Sequence, residues 1–168
     1  MKAIDLIRWA LQMSEQATTT LVEELRAAPM TRATPGAKGG DGNHAIWLLG
    51  HICFIEASLP KIIRNDPHPL EHWAPLFGTG TQSSSDASKY PSFDEIVKKF
   101  REFRARNLKL LDEVGEAALD RKPAWTPPGL EDAMKSVGET FLLIALHNMV
   151  HYGQLADVRR VAGLKPLM

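Results

Sequence analysis

Two histidines, His147 and His151, stand four residues apart in the run "ALHNMVHYGQLADVRRVAG". Most residues of this run are good helix formers. On a helix, such a pair lies about 40° apart around the axis and about 6 Å apart along it. Both rings can therefore turn toward one point. Neutral imidazole nitrogens suit zinc, nickel, cobalt or iron(II), but two of them need a third donor from elsewhere. The segment "NHAIWLLGHICFIEASLPKII" supplies one in His51, on the same stripe as Trp47, Leu48 and Ile55. Burying an imidazole without partners is costly. Two readings stand on these residues alone. Either all three are core histidines satisfied by hydrogen bonds, or they are three ligands that leave positions open on a divalent ion.

The other donors fit a shared site less well. Cys53 lies about 200° around the helix from His51 and is expected to be a small buried hydrophobe. His44 shares the face of His51 but sits about 10 Å along the axis. It either lines the mouth of a pocket or is a solvated first-turn residue. His68 and His72 fall in a long loop and are expected at the surface. No Glu-x-x-His pair occurs on the helices, which argues against a di-iron carboxylate bundle. There is also no His-Glu-x-x-His and no glycine-rich phosphate loop.

Four segments carry helical periodicity and position these residues. The first, about 2–27, has an apolar stripe interrupted by Ser14 and Thr18. The second, about 43–64, is expected to start on Asn43 as N-cap. The third opens at Ser92 with Glu95 three residues on, a capping box, and carries Asn107 in its stripe. The fourth opens with Ser136 and Glu139 and ends at Gly163, with Pro166 beyond. Pro, Gly and Ser fill the connections 28–42 and 65–91, which are long enough to be crossovers or caps. No β-type alternation and no internal repeat appears. The expectation is one all-α domain over 1–168, an antiparallel four-helix bundle with long loops between helices 1–2 and 2–3. Ser14, Thr18, Asn107 and Gln154 are candidates to converge on a pocket. The competing reading makes them polar residues at helix boundaries and on the surface.

Composition narrows the classes further. The 168 residues are 44% apolar and 24% charged, with 20 basic and 20 acidic side chains. Such a balance offers no electrostatic case for nucleic acid or an anionic membrane. The basic run "KKFREFRAR" reads as a solvated face, because its phenylalanines match the core stripe. No apolar run is expected to reach the roughly 20 residues of a membrane span, and the N-terminus does not read as a secretory signal. A single cysteine excludes an intrachain disulfide. The cytoplasm is the expected compartment.

Two blocks in order, "WLLGHICFIEA" and "HNMVHYGQLADVRRVAGLKP", resemble the DinB/YfiT superfamily of small metal-binding helical bundles. That family carries W-L-x-x-H on its second helix. On its last helix it has H-x-x-x-H, then G-Q, an arginine and a terminal glycine. The resemblance covers essentially the whole chain, though only these two blocks are specific. It implies an up-down-down-up four-helix bundle, often dimeric, with zinc or nickel between helices two and four. His51, His147 and His151 match the three ligands of the family one by one. The family includes bacillithiol S-transferases and mycothiol-dependent maleylpyruvate isomerase, and its name implies no DNA binding. One departure stands out: many relatives carry an acid after the first histidine of the pair, where this chain has Asn148. An amide can orient a partner but cannot serve as a base.

A three-histidine site leaves the charge of a divalent ion uncompensated. It would lower the pKa of bound water to about 7 and favour the thiolate of a bound thiol. The leading expectation is thus a metal-dependent enzyme acting on a small molecule, either a thiol-dependent S-transferase or a hydrolase. A low-molecular-weight thiol is the candidate co-substrate, and a homodimer the expected assembly. The alternatives are a non-catalytic, stress-linked, dimeric metal-binding module and a purely structural bundle. Arg159 is expected to be structural or at a dimer face, though a substrate carboxylate could also meet it.

Overall fold

The structure, a computed structural model, describes residues 1–26, 28, 30–35 and 42–165. Ala27, part of the 28–42 connection and Pro166 lie outside the described residues. The fold is all-helical, with no β-strand among the described residues. Helix α1 spans Ala3–Leu25, α2 Ala45–Ala57, α3 Leu59–Arg64, α4 Ala74–Phe77, α5 Phe93–Val114 and α6 Val137–Val161. Expected end signals operate at two starts. Ser92 Oγ accepts from Glu95 N–H at 3.2 Å, one half of the expected capping box. Ser136 and Glu139 close a reciprocal capping box. Helix α5 stops at Gly115, whose φ of 69° suits glycine.

The expected second helix differs in two ways. Its N-cap is His44 rather than Asn43, because the His44 imidazole Nδ1 accepts Trp47 N–H at 3.2 Å. It also divides at Ser58, just before Pro60. Proline has no N–H to give the carbonyl four residues back. That carbonyl, on Glu56, accepts the Asn107 side-chain amide at 3.0 Å instead.

Helix α1 packs against α5 and α6, and α2 packs against the same two helices from the other side. Ion pairs set the directions. Arg8 meets Asp112 and Arg26 meets Asp94, so α1 and α5 run antiparallel. Glu24 meets Arg159, while Ile7 lies by Gly138, so α1 and α6 run parallel. Helix α2 enters at the end of the bundle that holds Leu25 and Phe93, so it runs with α5. This up-down-down-up order is the one the family resemblance implies, and it replaces the antiparallel bundle expected from periodicity. The physical reason is the 65–92 connection, long enough to carry the chain back so that α5 starts where α2 starts.

The expectation that no segment could span a membrane also needs correction. The stretch Ala45–Arg64 is long and apolar enough by length and composition alone. Its most apolar window is 72% buried inside the bundle, which accounts for its hydropathy. The core has two apolar halves. One holds Leu25, Trp47, Trp73, Phe77 and Phe100; the other holds Ile7, Leu11, Leu59 and Phe141. At intermediate height lie the buried polar residues Ser14, Glu56, Arg104, Asn107 and Asn148.

Candidate metal centre

The three histidines converge. His51 Nε2 lies 3.2 Å from His147 Nε2, which lies 3.1 Å from His151 Nε2. Nitrogens bound about 2.0–2.1 Å from one ion stand about 3.3 Å apart in a tetrahedral arrangement and about 2.9 Å apart in an octahedral one. The two edges through His147 fall between these values, and the three ligand atoms lie within 4.8 Å of one another. His51 is buried, and His147 and His151 are partly buried.

The outer nitrogens fix two of the tautomers. His51 Nδ1–H donates to the Phe77 carbonyl at 2.7 Å, and His151 Nδ1–H donates to Gln154 Oε1 at 2.7 Å. Both rings then turn an Nε2 lone pair inward. The Nδ1 of His147 is buried with no partner. If its proton sat on Nε2, it could serve only one of the two neighbours well. A cation at the shared spot satisfies all three lone pairs. Burial first, then the neighbouring imidazoles, push His147 down to about 3. Burial also lowers His51 and His151, partly offset by their hydrogen bonds to Phe77 and Gln154. All three are therefore neutral near pH 7, the form that a metal requires. The donor set fits a divalent ion that accepts imidazole.

The backbone around His51 explains its aim. Trp47, one turn earlier, stacks on the His51 ring at 4.9 Å and 9°. The Phe77 carbonyl reaches His51 because α4 lies directly on α2 at Gly50. A Cβ added at Gly50 would stand 2.0 Å from the Phe77 ring. Glycine is thus required here for close approach of two helices.

The sequence profile of the DinB superfamily matches residues 10–155. The chain belongs to the DinB superfamily. No curated protein matches it.

In this DinB superfamily chain the polar layer beneath the histidines is occupied by a network that sequence reasoning missed. Arg104 and Glu56 are fully buried and form a two-pronged ion pair, with Arg104 Nε donating to Glu56 Oε2 at 3.2 Å and Nη2 to Oε1. Arg104 also donates to Ser14 Oγ at 3.0 Å and to the Leu11 carbonyl. Asn107 Nδ2 donates to Glu56 Oε2 at 2.7 Å, and Asn148 Nδ2 to Oε1 at 3.3 Å. This corrects the reading of "KKFREFRAR" as wholly solvated. Ser14 and Asn107 are engaged in this layer, and neither they nor Thr18 line the cavity described below. Thr18 is buried with its hydroxyl unpartnered. Asn148 points to Glu56, not to the imidazoles. A signal was present: Arg104 falls between Phe100 and Asn107 on the core stripe, and Glu56 is the lone acid of an apolar helix.

The remaining candidates are placed as follows. His44 is buried, caps α2 and donates through Nε2 to the Ser84 carbonyl at 2.8 Å, so it is neither a pocket mouth nor a solvated residue. His72 is exposed, while His68 is partly buried against Phe54. Cys53 is buried, and burial raises its thiol pKa, which excludes it as a ready thiolate. Arg159 ties α6 to α1 through Glu24 at 2.7 Å. A cavity of about 570 Å³ opens beside the cluster, walled by α2, α3, α6 and the 125–134 loop, with His51 and His147 at its edge.

Proposed function

We propose that the chain binds a divalent ion, zinc or nickel, at His51, His147 and His151, and acts as a metal-dependent S-transferase or hydrolase on a small molecule. The observation that carries this reading is that His147 Nε2 lies 3.2 Å from His51 Nε2 and 3.1 Å from His151 Nε2, with the three ligand atoms within 4.8 Å of one another and two of the rings locked from behind by Phe77 and Gln154. Bound there, the ion would supply Lewis acidity that lowers the pKa of a thiol or a water at its open positions. The chain's own groups do the rest. The Phe77 carbonyl and Gln154 hold the ligand tautomers and orientation. The apolar cavity beside His51 and His147 excludes water from the reacting groups. The chain offers no thiolate of its own, which favours an external low-molecular-weight thiol as nucleophile.

A homodimer fits the surface. Helix α1 leaves Leu6, Trp9 and Met13 exposed at i, i+3 and i+7, and its neighbour α6 leaves Met149 exposed, apart from Leu146 and Val150, which line the cavity. A second copy seated on these stripes would cover them. Light scattering of the wild type and of Trp9→Glu tests this: the variant is expected to be monomeric.

Metal analysis of untagged protein and of His51→Ala tests the site. Near-stoichiometric zinc or nickel is expected in the wild type and its loss in the variant; a metal-free wild type that also fails to take up added Zn²⁺ or Ni²⁺ overturns the site. The loaded protein should consume glutathione, bacillithiol or mycothiol with monochlorobimane. Absence of turnover with all three removes the transferase branch and leaves hydrolysis or non-catalytic metal binding.

A further inference from the structure

The cavity beside the histidines has a chemical character that narrows what can enter it. Its volume of about 570 Å³ lies within the range of about 300–1,000 Å³ of small-molecule sites. Its walls are mainly apolar, from Phe54, Ile62, Trp125, Leu130, Leu143 and Val150. Apart from the exposed Thr79 and the histidines of the cluster, the polar residues that line it are already engaged. Ser58 Oγ donates to the Ile55 carbonyl at 2.6 Å. His68 Nε2 donates to the Phe54 carbonyl at 3.2 Å, and its Nδ1 accepts Leu70 N–H at 3.0 Å. Lys61 faces Glu71 at 3.8 Å and lies over the Trp125 ring at 5.0 Å. Thr79 is exposed. The walls thus offer no uncompensated charge, and a charged ligand body would lose its hydration with nothing in return. Among the described residues, the polar groups this wall leaves open are the inward Nε2 atoms of His51 and His147, where the proposed ion would sit, and the unpartnered His147 Nδ1. The other side of the cluster differs. His151 does not line the cavity, and Gln154 is exposed.

We propose that this cavity binds a neutral, largely apolar small molecule, its body against Trp125, Leu130 and Leu143 and its one polar atom toward His51 and His147. Trp125 is tied to the α3 wall by its backbone N–H, which donates to the Ile62 carbonyl at 3.0 Å. In the transferase reading this molecule is the electrophile, and a hydrophilic thiol approaches from the His151 and Gln154 side. In the hydrolase reading it is an apolar ester or amide. The proposal rests on the proposed function only for the destination of the polar atom; binding of the apolar body rests on the walls alone.

The test uses two probes that differ by one charge. N-phenyl-1-naphthylamine is neutral, and 8-anilinonaphthalene-1-sulfonate carries a sulfonate on the same frame. Both are titrated by fluorescence against the purified protein, as isolated and after chelation, with metal content measured on each sample. The neutral probe is expected to bind at least about tenfold tighter than the sulfonate to the chelated protein. Leu130→Arg and Leu143→Arg, at an exposed and a partly buried wall position, are expected to weaken it at least about tenfold, with circular dichroism confirming the fold. Wild-type affinity in either folded variant, or equal affinity for the two probes, overturns the proposal. Should Leu143→Arg fail to fold, Leu130→Arg decides alone. Metal without probe binding rejects the cavity and spares the metal site; probe binding without metal does the reverse.

Discussion

Removing the Arg104 guanidinium is expected to be among the most damaging single changes outside the apolar core. The side chain is fully buried and serves Glu56 through two prongs, Ser14 Oγ and the Leu11 carbonyl. In Arg104→Met the Glu56 carboxylate stays buried with only the amides of Asn107 and Asn148, at 2.7 and 3.3 Å, to hold it. Breaking a buried pair by removing one partner costs about 3–5 kcal/mol. For a chain of this size each kcal/mol moves the melting temperature by about 2–4 °C. The expected drop is therefore on the order of 6–20 °C. The double variant Arg104→Met, Glu56→Leu removes both charges together, and exchanging a whole buried pair for apolar residues is often near neutral. It should recover most of the loss, less about 1–2 kcal/mol for the Asn148 amide left without a partner and for the second bond that Asn107 loses. Urea unfolding of the wild type, both singles and the double forms the cycle. A loss under about 1 kcal/mol in Arg104→Met would refute the reasoning. So would a double variant as unstable as the sum of the singles.

Three other expectations follow from the same geometry. Gly50→Ala places a methyl 2.0 Å from the Phe77 ring; α4 must shift, stability should fall by about 1–3 kcal/mol, and metal affinity should fall with it, as calorimetry of unfolding and metal titration would show. Gln154→Ala removes the acceptor of His151 Nδ1–H and should weaken metal binding about 10–100-fold with stability changed by less than about 1 kcal/mol; unchanged affinity would show that Gln154 is a surface residue. Burial holds His44, His51, His68, His147 and His151 below the ordinary value of 6.5. The unfolded chain therefore takes up protons first as pH falls. Stability of the metal-free protein should be level above pH 7 and decline below 6.5, by up to about 1.4 kcal/mol per pH unit for each histidine that stays neutral. A urea midpoint equal at pH 7.5 and 5.5 would contradict neutral burial of these rings.

The legible part of the fold was that written in local chemistry. Ser92 and Ser136 mark helix starts because a capping hydroxyl acts on its own N–H groups. The i,i+4 spacing of His147 and His151 survives because α6 runs unbroken through both. What lay hidden depends on neighbours far away in sequence. Periodicity finds helices but not their direction, so the parallel pairing of α1 with α6 could not be read from stripes. Arg104 looked solvated because its partner, Glu56, lies 48 residues away on another helix. Nothing local marks Gly50 either, because the ring that requires a glycine there belongs to Phe77, on another helix. These residues share one consequence. The polar layer at Glu56 joins α1, α2, α5 and α6 at one height, and Gly50 sets α4 on α2 so that the Phe77 carbonyl meets His51. The His51 and His147 rings belong to helices that this layer ties together, and positioning to within a few tenths of an ångström needs such rigid support. The histidine types could be read locally; their convergence is a property of the packing.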